Sequence, residues 1–142
     1  MERTYVKDIK ASEETTVLVK GWIHRIRDLG HITFVHLRDK TGIIQLIIDK
    51  EDVQKLRLEM CVEVTGDKVE NEKAPGGIEI HAKEISIIGN IYYDKLPFEI
   101  NGFKQKASLE KLLDFRGLSL RTPKARAIFK VQEEISDSFR DY

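Results

Sequence analysis

Only one cysteine, Cys61, occurs in the 142 residues. A disulfide framework and a thiolate zinc site are therefore excluded, and Cys61 reads as a small buried hydrophobe. The four histidines are scattered without metal-ligand spacing. No run of about 18 uncharged apolar residues is present, and the start, MERTYVKDIK, lacks the apolar centre of a signal peptide. These absences lead us to expect a soluble, cytoplasmic protein with no membrane association. GxxxxGK[ST], GxSxG and HExxH are all missing, and Gly76-Gly77 reads as a turn rather than a phosphate cradle. The acidic residues are numerous but dispersed, so no acid and base pair can be singled out.

An excess of charge of either sign is also missing. The 24 basic residues balance the 24 acidic ones, which argues against indiscriminate coating of nucleic acid. Distribution is less even. Between 104 and 130, Lys104, Lys106, Lys111, Arg116, Arg121, Lys124, Arg126 and Lys130 face only Glu110 and Asp114. That stretch could meet phosphate, although charge alone favours a solvated connector.

What is present is alternation. VLVKGWIHRIR (17 to 27), HITFVHLR (31 to 38) and GIIQLIID (42 to 49) read as strands separated by the turn sequences DLG and DKTG. EDVQKLRLEM (51 to 60) carries Val53, Leu56 and Met60 at helical spacing behind acidic residues, and predicts one short helix. MCVEVTGDKVE (60 to 70) and GIEIHAKEISIIG (77 to 89) alternate again around the loop NEKAPGG. Three strands, a short helix and two more strands is the order of a five-stranded oligonucleotide-binding (OB) barrel, although SH3-like barrels also have five strands. Gly21 fits the bend that a long barrel strand requires, and Trp22 is assigned to the core.

The expected architecture is all-β with short helices: a barrel over 1–90, a hinge over 91–121, and an amphipathic helix over 122–142. A short helix is expected near 108 to 114. Thr122 suits an N-cap and Pro123 the first helical position. Beyond them Ala125, Ile128, Gln132, Ile135 and Phe139 recur three or four apart. That apolar stripe needs a cover, so we expect either a longer parent protein or dimerisation through the helix.

In the second strand Val35 and Leu37 supply a core face. Phe34 is thereby set outward beside His36 and Arg38, with Gln45 and Ile47 outward on the next strand. In an OB barrel strands two and three form the ligand face. An exposed ring stacks on any base for roughly 1–3 kcal/mol, and a side-chain amide offers a base edge both donor and acceptor. Plainer roles fit the same residues. The connector could cover Phe34, and Gln45 and Glu79 could be ordinary surface residues. Arg27 and Arg38 could pair with Asp28 and Asp39 at exposed strand ends.

GWIHRIRDLGHITFVHLRDKTGIIQ, VTGDK, GGIEI, LPFEI and LDFRGLSLRTPKARAIFKVQEEISDSFRDY resemble the N-terminal anticodon-binding domain, hinge and first catalytic-domain helix of archaeal-type aspartyl-tRNA synthetases. The resemblance implies a domain that receives the anticodon loop of tRNA(Asp). Phe34 matches the position that stacks on the central uridine and Gln45 the amide that reads its edge, while Arg27 and Glu79 match further anticodon-contacting positions. His24 and Pro75 match positions that vary with tRNA choice, and this pair leans towards relaxed members that also charge tRNA(Asn). The short loop 71–77 leaves no assured contact for Asn71 or Lys73. The family's ATP and Mg sites belong to a catalytic domain whose proline-ended strand and two arginine motifs do not occur in this sequence. The resemblance implies no cofactor and no catalysis for these residues alone, within an aspartate-tRNA ligase parent that is homodimeric. The alternatives are a free-standing paralogue that binds tRNA or single-stranded nucleic acid, or a protein-interaction module.

Overall fold

The computed structural model describes residues 1–30, 32–89, 95–102 and 106–142. His31, the last residue of the expected barrel (90), the opening of the expected hinge (91–94), and 103–105 with Lys104 lie outside the described residues. Two compact units divide the chain, Met1–Asp94 and Lys95–Tyr142.

In the first unit five strands form: β1 (Thr16–Asp28), β2 (Thr33–Arg38), β3 (Ile43–Ile48), β4 (Cys61–Glu70) and β5 (Ile78–Ile87). They close into a barrel in the order β1-β2-β3-β5-β4, with all neighbours antiparallel except β3 and β5. Alternation does what the sequence leads one to expect. Val17, Val19, Ile23, Val35, Leu37, Ile44, Leu46, Ile48, Val62, Val64, Ile78 and Ile80 point inward and pack as one core. Each such side chain contributes roughly 1.5–3 kcal/mol through burial. Ile9, at the end of a 3₁₀ turn over Val6–Asp8, joins them at 1% exposure and plugs the barrel.

The turns have identifiable chemistry. Asp28 accepts a hydrogen bond from the Gly30 amide at 2.8 Å, and Gly30 takes φ +92°, a conformation that suits glycine. Asp39 organises the DKTG turn, accepting from the Thr41 amide and hydroxyl and the Gly42 amide at 2.6–2.9 Å. Its other oxygen accepts from the Val6 amide at 2.9 Å and so ties the N-terminal segment down.

Three expectations need correction. The helix after β3, α1, covers only Lys50–Val53. Beyond it Leu56 and Met60 enter the core from two successive turns, closed by Leu56 N–H to Val53 C=O and Met60 N–H to Arg57 C=O. The spacing that resembles a helix records three side chains dropping onto one core. Cys61 is half-buried, because β4 turns Val62 and Val64 inward and leaves Cys61 on the outer side opposite Trp22. Trp22 is half-buried on that outer side too, paired in register with Arg38.

The second unit holds α2 (Leu109–Asp114), α3 (Arg116–Ser119) and α4 (Pro123–Asp141). Ser108 caps α2 by accepting from the Lys111 amide, and Thr122 caps α4 by accepting from the Ala125 amide. Ile128, Phe129, Ile135 and Phe139 of α4 are exposed. No helix among the described residues is long and apolar enough to cross a membrane.

Gly21 serves close approach more than bending: a Cβ there would collide with the Arg38 carbonyl oxygen and a Leu37 methyl. Gly21→Ala should destabilise the barrel by about 1–3 kcal/mol, read as a lower urea midpoint with unchanged slope.

Candidate nucleic-acid interface

The outer side of the barrel depends on one extra residue. Ile23 pairs with Leu37 and Arg25 with His36, so His24 is a bulge. Strict alternation from the inward Ile23 would turn Arg25 and Arg27 into the core and Ile26 out of it. The bulge reverses this: Ile26 packs against the core, while Arg25 and Arg27 are exposed.

Cross-strand register then sets two rows side by side on the outer face. Arg27, Phe34, Ile47 and His81 form one, across β1, β2, β3 and β5. Arg25, His36, Gln45 and Glu79 form the next. Phe34 and Ile47 are half-buried and belong neither to the core nor to the hydrophobics packed against it. Gln45 is the diagonal neighbour of Phe34, at the roughly 7–8 Å that suits long and aromatic side chains. A planar group resting on the ring therefore lies within reach of the amide.

Glu79 is the polar centre. It points outward on β5 yet is only 4% exposed. Its Oε2 accepts from Gln45 Nε2 and from Asn71 Nδ2, both at 2.9 Å, and its Oε1 lies 3.1 Å from His81 Nε2. Burial pushes the Glu79 pKa up, but hydrogen bonds from Gln45, His81 and Asn71 outweigh burial and hold it below the usual 4.5. Asn71 reaches it because the loop over 71–77 is tightly wound: Asn71 N–H bonds Gly77 C=O, Ala74 N–H bonds Asn71 C=O, and Asn71 Oδ1 accepts from the Lys73 amide. Pro75 is exposed on this loop at the first position of a 3₁₀ turn.

Arg38 does not behave as an exposed strand-end residue paired with Asp39. It is 6% exposed and donates from Nη2 to Glu59 Oε2 at 2.7 Å, while Asp39 is occupied by its turn. Arg38 Nη1 donates to His24 Nδ1 at 3.1 Å. Burial first, and then Arg38, lower the His24 pKa. Burial also lowers that of His36, assisted by Arg27 and Arg25 and opposed by a Gln45 hydrogen bond. Glu59 takes φ +63°, rare for a residue with a side chain, and its amide bonds Ile23 C=O at 2.7 Å beside the bulge.

Phe34, Gln45, Arg27 and Glu79 are thus gathered on adjoining rows. His24 is tied to Arg38 beside them, and Pro75 lies on the loop that delivers Asn71. Glu79 is not a solvated strand residue; its three partners cover it. Sequence reasoning missed Arg25, His81, the bond from Asn71 to Glu79 and the Arg38–Glu59 pair. The three-residue step from Ile23 to Ile26 is the signal that could have exposed the bulge and, with it, Arg25. Among the described residues no group of three or more His, Cys, Asp or Glu side chains could hold a metal ion.

The arrangement offers a ring for stacking, an amide for a base edge and two exposed guanidiniums for phosphate. A closed five-stranded barrel with a single parallel β3–β5 pairing and such a face on β2 and β3 is an OB-fold binding domain. The chain belongs to the family described as OB-fold nucleic acid binding domain, whose model matches residues 17–88. It is 36% identical over 99% of its length to the aspartate–tRNA(Asp/Asn) ligase of Archaeoglobus fulgidus and 40% identical over 99% to that of Thermus thermophilus. It spans 34% and 32% of those proteins, about a third of each. Asparaginyl-tRNA synthetase from Pyrococcus horikoshii, solved with asparaginyl-adenylate, superposes over 99% of this chain and 34% of its own, with TM-score 0.85 and 33% identity.

Removing one member of the Arg38–Glu59 pair takes the ion-pair partner from a buried charge. Arg38→Met or Glu59→Gln alone should cost about 3–5 kcal/mol, and the double variant less than the sum, as read by urea unfolding in a double-mutant cycle.

Acid should act in two windows. His24 and His36 sit below their usual 6.5 in the folded protein, so the unfolded chain binds protons first and stability declines from about pH 6.5 downward. Asp39 is held below 3.8: burial raises it, but bonds from the Thr41 hydroxyl and the Val6, Thr41 and Gly42 amides prevail. With Glu79 it adds stability above the ordinary carboxylate range that is lost as pH falls through the lowered folded values. Urea midpoints across the acid range check both declines, and Asp39→Asn should diminish the second.

Proposed function

We propose that this chain recognises the anticodon loop of tRNA(Asp), and of tRNA(Asn), as the anticodon-binding part of a homodimeric cytoplasmic aspartate-tRNA ligase. The observation that carries the reading is the placement of Phe34, outside the core, diagonal to Gln45 and in register with the exposed Arg27. Single-stranded RNA loops are read where unstacked bases meet aromatic side chains and hydrogen-bonding groups. Phe34 takes the central uridine on its face, Gln45 reads that base's edge, and Arg27 and Arg25 meet the backbone or a flanking base. His24 and Pro75 bear on the choice between the two tRNAs from the borders of this face, and the relatives' shared name, aspartate–tRNA(Asp/Asn) ligase, favours the relaxed type.

The aminoacylation chemistry, with its ATP and Mg, falls to a catalytic domain outside these residues, and the exposed apolar stripe of α4 packs against that domain. An assembly module remains the second reading, favoured by the same stripe. Its homotypic form requires self-association of this chain, which light scattering over a concentration series detects.

Phe34→Ala should weaken binding of an anticodon stem-loop by roughly 1–3 kcal/mol. Gln45→Ala should mainly erase the preference for central uridine over cytidine. Both are read by fluorescence anisotropy with labelled stem-loops. Equal affinity of the unaltered chain for the folded loop and for an unstructured oligonucleotide of the same length would overturn the anticodon reading in favour of a general single-strand binder.

A further inference from the structure

We propose that Glu79 is a positioning residue that locks the Gln45 amide in one orientation, and that this lock makes the domain prefer uridine to cytidine at the stacked base. The inference rests on the anticodon reading above and assigns Glu79 a role other than direct contact with RNA.

An amide by itself is a poor discriminator between these pyrimidines. Rotated by half a turn about its last bond, it exchanges its N–H and its carbonyl oxygen. Uridine presents O4 as acceptor beside N3–H as donor; cytidine presents N4–H as donor beside N3 as acceptor. On a base held in one orientation by stacking on Phe34, one amide orientation fits uridine and the flipped orientation fits cytidine. Specificity therefore requires something that forbids the flip.

Glu79 supplies it. Gln45 and Glu79 are register partners on the parallel β3–β5 pair, and Gln45 Nε2 donates to Glu79 Oε2 at 2.9 Å. An ionised carboxylate accepts only, so the flipped amide would set its carbonyl oxygen against a buried negative charge. The carboxylate cannot turn away to relieve this. Its Oε2 is also held by Asn71 Nδ2 at 2.9 Å and its Oε1 by His81 Nε2 at 3.1 Å. At 4% exposure it has little surface left for RNA. The Gln45 amide, by contrast, keeps a second N–H and a further lone pair, one donor and one acceptor in fixed order.

The test measures binding of two stem-loops, differing only in uridine or cytidine at the centre of the anticodon, to the full chain and to Glu79→Gln, Gln45→Ala and the double variant. Glutamine at 79 both donates and accepts, so either orientation of Gln45 becomes permissible. The uridine preference should then fall by roughly tenfold, equivalent to about 1.4 kcal/mol, while overall affinity persists or rises with the loss of a negative charge. In the Gln45→Ala background, Glu79→Gln should leave the ratio unmoved. Retention of the preference in Glu79→Gln overturns the lock, as does a change in ratio of the same size in both backgrounds, which would mean direct contact. If Glu79→Gln does not fold, judged by its thermal transition, Glu79→Asp withdraws the carboxylate by one methylene and should lower the same ratio. An unaltered chain that binds the loop without preferring uridine overturns the lock as well, whereas one that does not bind the loop defeats the anticodon reading itself.

Discussion

A one-residue bulge at His24 governs everything on the outer face of this barrel. With it, Ile26 completes the core, and Arg25 and Arg27 join the rows that hold Gln45 and Phe34. Without it, the same residues alternate the wrong way, two guanidiniums enter the interior and the face loses its cations. The bulge is secured from two sides. Ile23 exchanges backbone hydrogen bonds with Glu59 and Met60, and the Arg38 guanidinium links His24 to the Glu59 carboxylate. A left-handed backbone at Glu59 and a buried ion pair are both costly features by themselves. They persist here because they share one location and hold one irregularity in place.

The polar content of the face is ordered in the same manner. Glu79 would be an ordinary solvated carboxylate if β5 were an edge strand. Closure of the barrel through the β3–β5 pairing brings it beside Gln45, and the wound loop over 71–77 lays Asn71 on its other side. The result is a charged group whose hydrogen bonds are spent on neighbours. Phe34 differs: it is half-buried outside the core, and a ring half in water has a stacking partner to gain.

These findings fit a division of labour within the family. The barrel supplies a rigid wall, because its inward residues interlock from all five strands. In the anticodon reading proposed above, recognition would fall to the outward residues of the two strands and the loop supported by that wall. Rigidity matters, because a base edge is distinguished by the order of one donor and one acceptor a few ångströms apart, and a mobile amide would present both orders.

Much of this was legible in the residues themselves. Strict alternation in β2 and β3 identified the inward residues, since the pleat sends successive side chains to opposite faces, whereas β5 carries a register shift opposite Thr65 and Gly66 that periodicity does not announce. The turn chemistry of Asp28, Gly30 and Asp39 and the cap Thr122 were local, and local signals survive in one dimension. The outward place of Phe34 and Gln45 followed from the same periodicity. What tertiary structure alone decided was everything that depends on two distant segments meeting: the burial of Arg38 against Glu59, the half-exposure of Trp22 and Cys61, the shortening of α1, and the junction of Gln45, Asn71, Glu79 and His81. Sequence periodicity states which way a side chain points from its own strand. Whether something stands there to bury it, pair with it or hold it still is settled only when the barrel closes.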